Sequence, residues 1–161
     1  MSARETRDPA ATLQLTRADI GFAAAHFSVL EARAERLHGH NYHVSLRVSG
    51  AVRADGTVLD FAELKHALRV ACAELDERVL LPERSPALRI RESDGEVEVV
   101  CDSRRYVFPA ADVRRLPIVN TTCECLAAFL LDVVRTGLGD RQVRLEVRVE
   151  ESPGQGASAA E

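Results

Sequence analysis

Tyr42, Val44, Leu46 and Val48 alternate with His43, Ser45, Arg47 and Ser49, and Gly50 closes the run. Val143, Leu145, Val147 and Val149 alternate in the same way with Arg144, Glu146, Arg148 and Glu150. A period of two predicts strands with one face on a core and one in water. Upstream, Leu13 and Leu15 start the same pattern, and an apolar segment continues from Ile20 to Phe27. Asp55-Gly56 predicts a turn, with Thr57-Val58-Leu59 as a short return strand.

The period then changes. Phe61, Leu64, Leu68, Cys72 and Leu75 recur at helical spacing, with Asp60 as the cap and Glu63 as its capping-box partner. A second helix starts near Thr121 or Thr122. Thr121 and Glu124 have capping-box spacing, Leu126, Phe129, Leu130, Val133 and Val134 supply the apolar face, and Gly137 and Gly139 end it. Between the helices, Leu88 and Ile90, then Val97, Val99 and Cys101, then Tyr106 and Phe108 predict short strands joined at Ser93-Asp94-Gly95 and Asp102-Ser103. This segment, about residues 88–116, reads as a β insertion. The order β-β-α-(β insertion)-α-β, with clean alternation, predicts an α+β domain: an antiparallel sheet with both helices on one face. Residues 1–10 read as a flexible arm, 11–151 as a single domain and 152–161 as a flexible tail.

Composition narrows the function classes. The chain has 161 residues, 46% of them hydrophobic and 29% charged, enough apolar content for one packed core. Its net charge of −4 gives no general attraction to nucleic acid, and 4% aromatic residues without tryptophan make a poor base-stacking platform. No run approaches the roughly 18 apolar residues of a membrane span. Cys72, Cys101, Cys123 and Cys125 form no CxxC pair. Scattered thiols in a chain of this size read as a cytoplasmic protein, not a disulfide framework.

The chemistry concentrates at Leu37-His38-Gly39-His40-Asn41-Tyr42. At a strand entry, His38 and His40 share the face of Tyr42 and Val44. Gly39 between them allows close backbone approach. A hairpin-like pairing brings His26, at the end of the preceding apolar strand, beside both. Three histidines with an open fourth position suit catalytic zinc. The plainer reading of an HxH pair is two hydrogen-bonded histidines without metal. His43 and His66 read as solvent-facing.

Glu151 continues the parity of Val143 to Val149, which places a carboxylate on the apolar side at a strand end. It either frays into water or anchors a ligand that offers adjacent N–H groups, such as an aminopyrimidinone edge. Glu124 reads as a capping residue. Cys123 and Cys125 fall on different helix faces and read as unpaired thiols.

Taken together, these pieces resemble the 6-pyruvoyltetrahydropterin synthase / 6-carboxytetrahydropterin synthase family. The matching segments are Phe22-Ala23-Ala24-Ala25-His26, His38-Gly39-His40-Asn41-Tyr42 and Gly56-Thr57-Val58-Leu59-Asp60-Phe61 with Leu64-Lys65. Leu75-Asp76, Thr122-Cys123-Glu124 before Leu126-Ala127, and Val149-Glu150-Glu151-Ser152-Pro153 complete the set. The resemblance implies the tunnelling fold, in which antiparallel sheets of several subunits close into an oligomeric barrel, as trimers or hexamers with intersubunit sites. It implies a zinc ion on His26, His38 and His40 and a small-molecule pterin substrate, 7,8-dihydroneopterin triphosphate or 7,8-dihydroneopterin. It matches Glu151 to the pterin-anchoring glutamate, and Thr122, Cys123 and Glu124 to the helix start that helps hold the ring, with Cys125 in place of the usual asparagine.

The chain departs from the family in its proton relay. The usual catalytic cysteine before the HGH motif is absent, and the loop reads Ala32-Arg33-Ala34-Glu35-Arg36-Leu37. The family's Asp-His pair reads Asp76-Glu77. Three consequences stand open: Glu35 and Glu77 replace the relay beside Asp76, the reaction is a simpler aldolase-type cleavage of the side chain, or the chain is a non-catalytic pterin-binding partner subunit. The plain readings of Glu35 and Glu77 are a solvated loop charge and an exposed helix-end residue. The expectation is a zinc-dependent 6-carboxy/6-pyruvoyl-tetrahydropterin synthase-like lyase, carbon–carbon or carbon–oxygen, acting on 7,8-dihydroneopterin triphosphate or 7,8-dihydroneopterin, with aldolase-type cleavage or a non-catalytic pterin-binding subunit as the alternatives.

Overall fold

Leu13, Leu15 and the Ile20–Phe27 segment belong to one long strand, β1 (Ala10–His26), in a computed structural model that describes residues 9–161. It pairs antiparallel with β4 (His38–Ala51), in register from Ala10 opposite Ala51 to His26 opposite His38, with a bulge between Thr16 and Gly21. A Cβ on Gly21 would lie 2.1 Å from the Tyr42 carbonyl oxygen, so only glycine allows the strands to close at the bulge. Strand β10 (Val143–Ser152) pairs antiparallel with β4. The alternation becomes burial: Val44, Leu46, Val48, Leu145, Val147 and Val149 are all 1% exposed or less.

Helices α1 (Phe61–Ala73) and α2 (Cys123–Leu138) cover that apolar face through Leu64, Leu68, Leu126 and Leu130. Asp60 caps α1, its carboxylate accepting from Ala62 N–H at 2.8 Å. Glu63 does not close a capping box; it pairs with Arg141 at 2.9 Å.

Four expectations need correction. The sheet is six-stranded and mixed: β5 (Arg78–Pro82) runs parallel to β1, and β9 (Val113–Leu116) parallel to β5, giving the order β11-β10-β4-β1-β5-β9 once β11 (Gln155–Ala160) is included. Parallel neighbours need long connections. Helix α1 lies between β4 and β5, and the insertion between β5 and β9.

Thr57-Val58-Leu59 is irregular chain after the Ala54-Asp55 turn instead of a strand, and Asp55 Oδ1 accepts from both Thr57 N–H (3.0 Å) and Thr57 Oγ1–H (2.7 Å). The expected tail from residue 152 is a hairpin strand: β11 pairs antiparallel with β10, with Arg148 opposite Ser158. Its small residues carry no periodic signal, yet backbone pairing needs none, and Gly156 gives the close approach, since a Cβ there would meet Val149 O at 2.2 Å. The arm expected over 1–10 lies outside the described residues as far as residue 8, and Ala10 already opens β1.

The insertion divides. Strands β6 (Arg89–Ser93), β7 (Glu96–Cys101) and β8 (Arg104–Pro109) form a separate antiparallel sheet, while β9 joins the main one. A two-residue-per-strand hairpin, β2 (Val29–Leu30) with β3 (Arg33–Ala34), lies between β1 and β4. Phe27 and Ala34 share a second core with Leu81, Val97, Val99 and Cys101.

Candidate active site

His26 ends β1 and His38 opens β4, directly opposite one another in the sheet register. His40, two residues on, projects from the same face as His38. The three rings gather with centroids 4.6 to 5.3 Å apart, and a ligand nitrogen from each lies within 4.8 Å of the others.

The hydrogen bonds settle the tautomers. His26 Nδ1–H donates to the Thr121 carbonyl at 3.1 Å and approaches Thr121 Oγ1 at 3.3 Å. A carbonyl only accepts, so Nδ1 carries the proton and Nε2 presents its lone pair. His38 Nδ1–H donates to the Arg36 carbonyl at 2.7 Å and leaves its Nε2 free in the same way. His26 Nε2 is buried and has no hydrogen-bond partner among the described residues. Burial, followed by the neighbouring His38 and His40, lowers the His26 pKa to about 4, so the ring is neutral near pH 7. Three convergent imidazoles, with ring N–H groups of two of them bound to backbone carbonyls, suit a borderline-soft divalent ion. The triad therefore fits a metal ion on both donor type and orphaned lone pair.

Thr121 was legible in the sequence only as a helix start. In the fold it is fully buried, its hydroxyl donates to Phe27 O at 2.9 Å, and its carbonyl orients His26. The cap of α2 is Thr122, whose Oγ1 accepts from Cys125 N–H at 3.5 Å, so the capping box expected from Thr121 is not formed. Asn120 was missed altogether. Its side-chain amide accepts from Val29 N–H and donates to Val29 O, both at 2.9 Å, and so ties the segment after His26 to the start of α2. The run Asn120-Thr121-Thr122 before an apolar helix was the available signal: three polar side chains where a cap needs one.

Glu151 turns into the same cleft. Its Oε2 lies 4.0 Å from His40 Nε2 and accepts from the Cys123 thiol at 3.7 Å. Burial, followed by the Glu151 charge, pushes the Cys123 thiol up to about 11, so Cys123 stays a neutral donor. Glu124 is held below the usual carboxylate range by its own backbone N–H and the Thr122 hydroxyl. Thr122, Cys123, Glu124 and Glu151 line a cavity of about 360 Å³ together with the triad. Glu35 also lines it, from the loop between β3 and β4.

Asp76 and Glu77 do not join this cleft. Asp76 Oδ1 accepts from Ala23 N–H at 2.8 Å, and Glu77 N–H donates to Ala23 O at 2.7 Å. They clamp β1 three residues before His26, and Glu77 lines a neighbouring cavity of about 500 Å³ with Ala23, Asn41, Arg78 and His40, the last of which also lines the triad cleft. His43 is half-buried, its Nε2–H donating to Arg17 O at 2.9 Å across the β1 bulge, while His66 is exposed. All four cysteines are unpaired. No helix among the described residues is long and apolar enough to cross a membrane.

The chain is similar to known proteins. A candidate 6-carboxy-5,6,7,8-tetrahydropterin synthase of Methanocaldococcus jannaschii is 30% identical over 145 residues, covering 87% of this chain and 89% of its own. The crystal structure of 6-pyruvoyl tetrahydropterin synthase from Plasmodium vivax superposes with a TM-score of 0.92 at 34% identity, covering 96% of this chain and 99% of its own. Two further structures of that protein are of variants in which a catalytic glutamate is replaced, by alanine in one and by cysteine in the other. The model of the 6-pyruvoyl tetrahydropterin synthase family matches residues 15–161, and this chain belongs to that family.

Proposed function

We propose that this protein is a zinc-dependent lyase acting on the side chain of 7,8-dihydroneopterin or its triphosphate, with Glu35 as the base. The observation that carries the reading is the meeting of Glu35, the histidine triad and Glu151 in one cleft. The catalytic glutamate of the Plasmodium vivax enzyme supports a carboxylate in this role. Zinc on His26, His38 and His40 would polarise the substrate's side-chain hydroxyls. Glu151 holds the pterin's amino and ring N–H groups, and Thr122, Cys123 and Glu124 close the ring's other edge.

The chemistry that asks least of this cleft is cleavage of the C1′–C2′ bond. Glu35 takes the proton of the 2′-hydroxyl, the bond breaks to leave an aldehyde on C2′, and its electron pair enters the ring imine. A proton then returns to C1′. One base suffices, whereas the synthase reaction moves several protons. Asp76 and Glu77, held against Ala23, favour this simpler reading within a single chain. In a homo-oligomer with intersubunit sites, a partner copy supplies its Asp76 and Glu77 instead. The unpaired edges at β9 and β11 support such assembly. Unpaired thiols support a cytoplasmic location.

The test is product analysis by mass spectrometry. Zinc-loaded protein and its Glu35→Gln variant are incubated separately with 7,8-dihydroneopterin and its triphosphate. The expected product is 6-hydroxymethyl-7,8-dihydropterin, lost in the variant. Formation of 6-pyruvoyl- or 6-carboxy-tetrahydropterin would show a full synthase relay. Unchanged substrate with bound pterin would identify a non-catalytic subunit.

A further inference from the structure

The loop that carries Glu35 has little to hold it from its own residues. Its hairpin turns through Glu31 and Ala32, both at positive φ (48° and 61°), a conformation that strains a non-glycine residue. Glu35 N–H donates to Ser28 O at 2.9 Å, which closes the base of the loop upon itself.

His38 Nδ1–H holds the neighbouring Arg36 carbonyl at 2.7 Å, and a further restraint comes from the insertion. Arg104, on β8, donates through Nη1 to the Glu35 carbonyl at 2.7 Å, and the same nitrogen lies 3.4 Å from the Tyr106 hydroxyl. The Tyr106 ring stacks on Phe27 at 5.4 Å and on Phe108 at 5.9 Å. Phe27 directly follows His26 and shares the second core with Ala34, which directly precedes Glu35. The sheet thus touches the residue after a triad histidine through Tyr106 and the backbone of the proposed base through Arg104.

We propose that the three-stranded sheet β6–β8 is the platform that positions Glu35 against the histidine triad, with Arg104 as the positioning residue and Tyr106 as its support. The inference rests on the reading of Glu35 as the base. A guanidinium bound to a backbone carbonyl fixes the height of the loop without touching substrate. A carboxylate displaced by about 1 Å from its working position loses roughly 100-fold in rate. Arg104 therefore acts on turnover and not on pterin or metal binding.

The experiment compares Arg104→Ala, Arg104→Lys, Tyr106→Phe and Glu35→Gln in the zinc-loaded full chain. It measures metal content, kcat and KM for 7,8-dihydroneopterin, and amide exchange at Glu35. Arg104→Ala is expected to lower kcat roughly 10- to 100-fold with KM within about twofold and metal content unchanged. The Glu35 amide should exchange faster, and Arg104→Lys should regain part of kcat by reaching the carbonyl with its ammonium. Retained kcat in Arg104→Ala, with kcat lost in Glu35→Gln, would overturn the platform while leaving the base in place. Parallel losses of kcat, substrate affinity and metal would also overturn it, as a general structural defect. Full activity in Glu35→Gln would remove the base, and this inference with it. If Arg104→Ala does not fold, Tyr106→Phe decides: it keeps the ring stack, and an unchanged kcat there overturns the proposal.

Discussion

His26 at the end of β1 donates from Nδ1 to the carbonyl of Thr121, 95 positions away in sequence and 3.1 Å away in space. That bond fixes which nitrogen of His26 faces His38 and His40. The Thr121 hydroxyl, donating to Phe27 O, holds the carbonyl's own residue in place. The geometry of the histidine triad therefore depends on a residue outside the triad.

Replacement of Thr121 by valine keeps the carbonyl but removes the hydroxyl that anchors it. The expected result is a folded protein with about 10-fold weaker metal affinity, within the usual range for groups that orient a ligand. Competition with a chelator of known affinity measures this. An affinity equal to the parent's would show that the strand register alone orients His26.

Glu151→Gln tests the ligand anchor. Loss of a charge-assisted hydrogen bond costs about 2 kcal/mol, or roughly 30-fold in pterin affinity. Metal content should be unchanged. Titration calorimetry with a dihydropterin reads both arms, and equal affinity would take Glu151 out of ligand recognition.

The same glutamate controls a thiol. Cys123 is raised to about 11 by burial and by the Glu151 charge, so its alkylation should be slow at pH 8 and accelerate above pH 10. Glu151→Gln removes a negative charge, lowers the thiol's pKa and should speed alkylation at pH 8. A background with Cys72, Cys101 and Cys125 changed to serine or alanine isolates the rate. A slower reaction in the variant would reverse the assigned electrostatics.

His26 also makes metal-free stability depend on pH. Its folded-state pKa of about 4 lies below the ordinary histidine value of 6.5, so the unfolded chain binds the extra proton first as pH falls. Stability is therefore fully present above pH 6.5 and declines as pH drops from there towards 4, by on the order of 3 kcal/mol. Urea titrations of the metal-free protein across this window, with His26→Gln as the comparison, measure the slope. A variant with the same slope would assign it to other groups.

Tyr42 is 3% exposed, and its hydroxyl has no partner among the described residues. An unsatisfied buried hydroxyl costs stability, so Tyr42→Phe should raise it by about 1 kcal/mol while preserving the stack on Phe22 at 4.6 Å. Thermal unfolding of the two proteins checks the sign.

Parts of this architecture were written in local pattern. Alternation from Tyr42 to Val48 and from Val143 to Val149 appears as the two buried faces of β4 and β10, because side-chain direction in a strand depends only on parity. Asp60 was recognisable as a cap because capping is satisfied within a few residues. Gly-Gln-Gly-Ala-Ser-Ala carried no such pattern, and β11 forms through backbone bonds to β10 that any small residues allow. Thr57 to Leu59 failed in the opposite sense: the apolar pattern was present, but Asp55 accepts from Thr57 N–H and the chain there is irregular.

The amino-acid sequence by itself determined the buried faces of β4 and β10, the two helices, the shared face of His38 and His40, and the family to which the chain belongs. Each rests on short-range periodicity or on motif order, which a linear string records. Only the tertiary structure decided that β5 and β9 run parallel, that Thr121 orients His26, that Glu35 and Glu151 line one cleft, and that Asp76 and Glu77 clamp Ala23 outside it. These are contacts between distant segments, set by sheet register and by the packing of a second core, and no local preference encodes them.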